Sequence, residues 1–557
     1  MKGNLKNLYK YLIENRKHEI KEWHDACQDF YGQVEKVRKR IKSGQCLSPD
    51  NDDDKAFLKK LLCDKSNGIA SRGQSVLSND NFSLFIKNEG FISALEEFIQ
   101  APNKENFQKF DDAWADQDKS NNPVLVNRVA AACTLEVSST VDCGKFNQVF
   151  SWLIRERIIP AYPAEKDQDW FSKNTFLMNI IQDEFSNELD SKTTDAFYLS
   201  QFVWLIYENI YNPFSLRKQI IKYGAPGTGK TYQARQQTSL LFNIWKEAFA
   251  PNSDFIDENQ TELIQFHPSF SYEDFIEGLR PVLDNNKNAQ LKLQNGVFKE
   301  FCRRAGKWEI DVCSLGLDRD WEEITLAELR PHQEKLTGDH WQHIFEISDT
   351  SKLVSDAVPP FFFIIDEVNR AELSRVFGEL MYCLEYRGIK GHIKTQYANL
   401  NNDNTGMLRT DQGYRFFIPA NIYLIGTMNT IDRSVESFDF ALRRRFRWEE
   451  VMPDTTLLTY HLNQFCKAWV PLAGNLEKLN TKITEEPLLG RDYQIGHAYL
   501  MNLKYDTHLT VKNVRKQVWD DCIRPLLQEY LRGTSKEREL TESKGKAGTF
   551  KEAFGVK

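Results

Sequence analysis

Residues Gly224-Ala225-Pro226-Gly227-Thr228-Gly229-Lys230-Thr231 decide how the rest of this chain reads. The apolar run Gln219–Tyr223 precedes them, and a segment of helical period follows. Glycines between a strand and a helix let successive backbone N–H groups turn inward around phosphate oxygens. The helix adds the positive end of its dipole. In that pattern Gly224, Ala225, Pro226, Gly227, Thr228 and Gly229 form the cradle. Lys230 then reaches the β- and γ-phosphates, and the Thr231 hydroxyl ligates Mg²⁺. A glycine-rich turn matching by chance is the bland alternative, and the flanking strand and helix count against it.

Phe361-Phe362-Phe363-Ile364-Ile365-Asp366-Glu367 supplies the complementary half. Five apolar residues make a strand buried on both faces, delivering two carboxylates at its C-terminal edge, where α/β ligands bind. Asp366 is placed to hold Mg²⁺ and Glu367 to polarise an attacking water. A third piece, Met428-Asn429-Thr430-Ile431-Asp432-Arg433-Ser434, directly follows the apolar strand Ile422–Gly426. An amide at such a strand tip orients water and reports nucleotide state. Further on, Asp439-Phe440-Ala441-Leu442-Arg443-Arg444-Arg445-Phe446 carries three successive arginines that cannot share one helix face. One reading sends an arginine into a neighbouring subunit's site, where it neutralises transition-state charge. The other is a basic surface patch.

These segments, with Phe266–Pro281 (FHPSFSYEDFIEGLRP), Ile364–Glu379 and Gln494–Leu500 (QIGHAYL), occur in an order that resembles the McrB family. That family comprises the AAA+ GTPase subunits of McrBC modification-dependent restriction systems, and the likeness covers about residues 215–531. The resemblance implies an α/β AAA+ core followed by a helical lid, assembled as a ring, a hexamer. It implies a McrC-like endonuclease subunit as partner, Mg²⁺ as cofactor, and DNA, modified or not, as target. By the same resemblance Asn429, Asp432 and Arg433 lie beside the attacking water, and Arg444 and Arg445 act in trans. Asn369, Arg370 and Asp439 fall toward the subunit junction, and Tyr232 and His497 contact nucleotide. GTP rather than ATP rests on the likeness alone, because Asn286-Lys287-Asn288-Ala289 lacks the carboxylate that pairs with guanine. Lys230 and Asp366 stand farther apart than the family core needs, which fits an insertion at about 308–359.

The rest of the chain sets limits. It has 557 residues, 41% hydrophobic and 27% charged, so wholesale disorder is excluded. A net charge of −7 leaves no general polycation, so any DNA contact is local. Ten scattered cysteines, none in a CxxC pair, and the polar start Met1–Lys6 fit a soluble, cytoplasmic protein with reduced thiols used mostly as core filler. No apolar stretch is long enough to span a membrane.

Residues 1–204 read as a mainly α-helical domain for recognition or partner binding, and Tyr211-Asn212-Pro213 as a hinge. The AAA+ core is expected at 205–452, the helical lid at 453–531 and a mobile tail at 532–557. Lys36, Arg38, Lys39, Arg40 and Lys42 form the densest basic cluster of the N-terminal part, readable as phosphate contacts or as a solvated helix face. Lys394, Tyr397 and Arg409, on a hairpin expected within 391–414, are candidates to touch a polymer in a ring pore. His340 and His343 read as a solvated helix face rather than a metal site. No nuclease constellation is evident, so strand cleavage requires another chain. Two rivals remain: a MoxR or dynein-related ATPase that remodels protein, and a nucleotide-gated sensor scaffold.

Overall fold

The computed structural model describes residues 2–14, 20–70, 75–117, 122–186, 194–211, 218–283, 289–317, 319–431, 440–501, 503, 509–542 and 549–556. They fall into two compact units, Met1–Leu216 and Arg217–Lys557.

Among its described residues the first unit has helices as its regular elements. Its polar breaks serve as helix starts. Asn51 caps Asp52–Cys63, and the Asn88 side chain accepts from Phe91 N at 2.9 Å to open Glu89–Gln100. Apolar residues at helical spacing then fill one core. Phe98 stacks on Phe110 and Phe107 on Phe171, with ring centroids 5.8 and 4.6 Å apart. The boundary expected at 204 falls inside helix Thr194–Ile206, which continues into the turn Tyr207–Tyr211. Lys145 lies over the rings of Trp204 and Tyr207, tying that segment to the N-terminal unit. Asn212 and Pro213 of the expected hinge lie outside the described residues.

The second unit is built on a five-stranded parallel sheet, β1 (Gln219–Gly224), β2 (Thr261–Gln265), β5 (Phe361–Asp366), β8 (Ile422–Asn429) and β9 (Arg447–Glu450), in the order β2-β5-β8-β1-β9. β5 is buried along its first five residues, as expected of a central parallel strand. Two antiparallel pairs stand apart from this sheet. β3 (Glu277–Leu283) pairs with β4 (Ala289–Asn295), and β6 (Leu408–Thr410) with β7 (Gly413–Arg415). In the stretch expected to be an insertion, helices and one isolated bridge, Thr325 to Leu353, are the regular structure among the described residues. It is no appendage, however. Trp308, Leu329, Trp341, Ile344 and Val354 are buried in the same core as β5.

His340 and His343 sit in that packed layer, which corrects the solvated-face reading. His343 is buried and its Nε2 faces Ala357 O at 3.1 Å, while His340 Nε2 lies 2.9 Å from Asp311. Among the described residues no cluster of His, Cys, Asp and Glu is placed to hold a metal.

The lid is a second core made by Thr455–Phe465, Pro471–Glu485, Val511–Val518 and Arg524–Tyr530 around Trp469 and Trp519. The tail expected to be mobile joins it. Phe550 and Phe554 are fully buried there, and Arg515 Nη1 donates to Gly555 O at 3.0 Å. Two phenylalanines at i, i+4 give an otherwise polar tail an apolar stripe to bury. Four of the ten free cysteines are buried, while Cys46 and Cys313 are exposed. No described helix is long and apolar enough to cross a membrane.

Candidate nucleotide-binding and hydrolysis site

β1 runs straight into the phosphate loop, and the loop into helix Lys230–Phe249. Gly227 and Gly229 hold φ of +72° and +81°, values that a side chain would strain. Lys230 is buried, and its ammonium donates to Gly224 O at 3.1 Å and Ala225 O at 2.7 Å. Phosphate oxygens would take over those donors. Parallel registry brings the other pieces to the same edge, Gly224 standing opposite Asn429 and Gln265 opposite Asp366.

Asp366 Oδ1 accepts from Thr231 Oγ1 at 2.6 Å and from Thr427 Oγ1 at 2.5 Å. A carboxylate and a threonine hydroxyl in mutual contact are the oxygen donors that suit Mg²⁺. Glu367 adopts a left-handed backbone, φ +52° and ψ +47°, a conformation a non-glycine residue keeps only where its surroundings impose it. Here they do. Asn429 Nδ2 donates to Glu367 Oε1 at 2.7 Å, and Arg370 Nε lies 3.4 Å from Oε2.

The lid closes the site from the other side. Gly496 N donates to Pro226 O at 3.1 Å and Ala498 N to Gly227 O at 2.9 Å. Between them His497 is buried, and its Nδ1 accepts from Asp454 N at 2.9 Å. That bond fixes the ring proton on Nε2, which faces the loop 3.6 Å from where a Gly229 Cβ would sit. The helical residue Tyr232 is 67% exposed.

Other expected positions divide. Asp432, Arg433 and Asp439 lie outside the described residues. Asn369, expected at a subunit junction, is instead buried and donates to Asn429 O at 3.3 Å, so it braces the site from within its own subunit. Arg444 and Arg445 both meet Glu385, at 3.5 and 2.9 Å, but their exposure differs: the Arg444 side chain is 67% exposed and that of Arg445 14%. Arg443 lies over the Trp448 ring.

The N-terminal basic cluster is corrected at two of its four candidate DNA contacts. Arg38 donates to Ile99 O at 2.6 Å and to Cys133 O, and pairs with Glu35, so its charge pins helices together. Arg40 pairs with the buried Asp54. Lys36 and Lys39 are exposed. Lys394 is exposed, and Arg409 stands on the β6–β7 hairpin, 3.7 Å from Asp403.

Sequence reasoning missed Thr427 and the Gly496 backbone. A signal for Thr427 existed, since it lies two residues before Asn429 and so on the same strand face.

Two family models match the chain: the McrB alpha-helical lid domain over residues 471–538, and the AAA domain of the dynein-related subfamily over 219–446. The chain is 31% identical over 408 residues to the type IV methyl-directed restriction enzyme EcoKMcrB subunit of Escherichia coli (strain K12), an alignment covering 72% of this chain and 69% of that protein. It is 24% identical over 243 residues to the type II restriction enzyme BsuMI component YdiS of Bacillus subtilis (strain 168), covering 42% of this chain and 57% of the relative.

Proposed function

The chain belongs to the McrB family, as an AAA+ P-loop NTPase of a restriction system, and we propose that it is the ring-forming, Mg²⁺-dependent GTPase motor that drives a McrC-like endonuclease subunit. The observation that supports this best is the Glu367 carboxylate held by Asn429 at 2.7 Å, beside a threonine–aspartate pair fit for Mg²⁺.

Bound Mg²⁺ would neutralise charge on the β- and γ-phosphates. Lys230 turns from the loop carbonyls to the phosphates, and Thr231 and Asp366 supply the metal's oxygen donors. Glu367, oriented by Asn429, accepts a proton from water aimed at the γ-phosphorus. Arg444 approaches a neighbouring subunit's phosphates and stabilises the charge that develops, while Arg445, tied to Glu385, positions the turn that carries it. His497 Nε2–H donates to nucleotide from the lid. Asp432 and Arg433 belong to the same signature loop by resemblance.

In this reading residues 1–216 select the target, and Lys36 and Lys39 are the phosphate contacts left once Arg38 and Arg40 are assigned to packing. Lys394 and Arg409 serve a ring pore. A protein-remodelling ATPase is the second reading, favoured by the dynein-related description of the AAA match; the lid match and both restriction relatives weigh against it.

The test is turnover of GTP and ATP at matched concentration, with and without a McrC-like subunit and methylated DNA. GTP turnover stimulated by the partner, with DNA cleavage, is expected. Partner-independent turnover with strong ATP preference would refute the motor assignment.

A further inference from the structure

Helix Leu380–Glu385 and the residue that ends it present an aromatic pair to solvent. Tyr382 and Tyr386 are 49% and 52% exposed, and their rings stack with centroids 4.6 Å apart. Glu385 follows Tyr382 by three residues and Tyr386 by none, so all three belong to one turn of chain. The Glu385 carboxylate meets Arg444 at 3.5 Å and Arg445 at 2.9 Å. Through Glu385 the stacked rings therefore adjoin the exposed guanidinium of Arg444.

The pair is held firmly from behind. Tyr386 N donates to Tyr382 O at 3.0 Å, and Gly388 N to Ile418 O at 2.9 Å. Between them Arg387 donates to the Gln219 side chain on β1. Gly391 approaches so closely that an added Cβ would lie 1.9 Å from Tyr386 O. Rings already fixed in place give up little freedom when a partner covers them. Tyrosine and arginine are also the residue types enriched at the energetic centres of protein interfaces.

We propose that Tyr382 and Tyr386 form the apolar centre of a surface that meets a second copy of this chain beside that copy's phosphate loop. The inference rests on the reading that Arg444 acts in trans. A surface that delivers Arg444 to a neighbour's phosphates must bring whatever adjoins Arg444 against the protein around them. On the receiving side, Tyr232 stands at the start of the helix after the phosphate loop, 67% exposed, and offers an aromatic surface. The two surfaces are different parts of one chain, so the contact is head-to-tail, the kind from which rings are built. A nucleic-acid strand is the less suitable occupant. The rings already stack on each other, and the Glu385 carboxylate beside them repels phosphate.

The experiment is sedimentation velocity of the full chain with Mg²⁺ and a non-hydrolysable GTP or ATP analogue. Wild type should assemble. The double variant Tyr382→Glu, Tyr386→Glu should self-associate about tenfold or more weakly, while its monomer binds the analogue normally. Should that variant not fold, Tyr386→Ser alone should weaken assembly in the same direction.

Turnover of mixtures then identifies the face. Mixed with Glu367→Gln, the double variant should regain activity, because its own site can receive an intact surface. Mixed with Arg444→Ala it should not, because both defects lie on the same face and no junction is intact. Assembly of the tyrosine variants equal to wild type, or rescue by Arg444→Ala, would overturn the proposal. So would unaltered assembly with loss of binding to a single-stranded oligonucleotide, which would make the pair a stacking platform for bases. A wild-type chain that stays monomeric, or Arg444→Ala that turns over normally, would instead overturn the trans reading itself.

Discussion

Replacing Gly496 by alanine tests whether the lid governs nucleotide affinity by gripping the phosphate loop through backbone alone. An added Cβ would lie 2.0 Å from Gly227 C, 2.1 Å from Gly227 O and 2.5 Å from Pro226 O. All three are backbone atoms, so no side chain can rotate away, and the lid segment must lift. Lifting breaks the bonds from Gly496 N to Pro226 O and from Ala498 N to Gly227 O. Two backbone hydrogen bonds are worth together about 1–3 kcal/mol net. The lid uses loop carbonyls, whereas phosphate takes the loop N–H groups. Closure and nucleotide are therefore compatible, and closure preorganises the site. Losing it should weaken nucleotide binding by about 5- to 150-fold, the most that the lost closure energy permits. Fluorescent-nucleotide titration measures this, with Gly474→Ala as control, because a Cβ there meets nothing within 4 Å. A Gly496→Ala protein that binds nucleotide within about twofold of wild type would refute the lid's role, since one hydrogen bond alone is worth about that much or more.

Lys230→Ala should lose nucleotide binding whereas Glu367→Gln keeps it and stops hydrolysis, because the lysine acts in the ground state and the carboxylate on water in the transition state; equal affinity losses in a binding assay would contradict this. Arg444→Ala should bind nucleotide nearly normally yet turn over about 10³-fold more slowly, and mixing it with Glu367→Gln should restore activity at junctions carrying one intact set; mixed rings that stay inactive would place the arginine in cis. His343 is buried between Trp245 and Phe255, and burial holds it down to about 4, so the unfolded chain, with histidine near 6.5, binds a proton the folded chain refuses. Stability should therefore be fully present above about 6.5 and fall by up to about 3 kcal/mol as pH drops toward about 4; His343→Asn should flatten that part of the urea-midpoint profile, and an unchanged slope would count against it. Gly474→Ala, inside helix Pro471–Glu485, should raise stability by about 0.5–1 kcal/mol in thermal unfolding.

How much of this fold was legible depended on whether burial left a mark on local sequence. β1, β5 and β8 are apolar runs because neighbours cover them on both sides; the sequence marks β1 and β5 to within one residue, whereas β8 runs past the expected end at Gly426 to Asn429, where polar residues enter the run. β9, Arg447-Trp448-Glu449-Glu450, is an edge strand whose residues are half-buried or exposed, so no run announces it. In the β3–β4 hairpin, Leu279, Leu283 and Leu291 alternate as a strand should, but Pro281 sits among them and the apolar face points to solvent. The basic cluster misled for another reason. Arg38 answers to carbonyls 61 and 95 residues away, and nothing within its own helix records such partners.

The site was legible where chemistry depends on side chains and hidden where it depends on backbone. The functional groups of Glu367 and Asn429 meet, and that of Asp366 meets Thr231 and Thr427; strand termini in parallel registry bring these pieces to one edge without help from intervening sequence. The lid's grip uses two N–H groups, which every residue but proline can offer, and two carbonyls, which every residue offers. Only the glycine marks it, and it marks the absence of a Cβ rather than a partner. The arginines fall between these cases. Sequence puts Arg444 and Arg445 side by side, and both pair with Glu385, yet the turn leaves Arg445 14% exposed at 2.9 Å and Arg444 67% exposed at 3.5 Å. An arginine that must reach a neighbour's phosphates has to leave its own subunit, and a buried, paired guanidinium would give up that pairing to do so. On the proposed reading, exposure is what divides the two, with Arg444 the one to reach outward and Arg445 holding the turn from which it reaches.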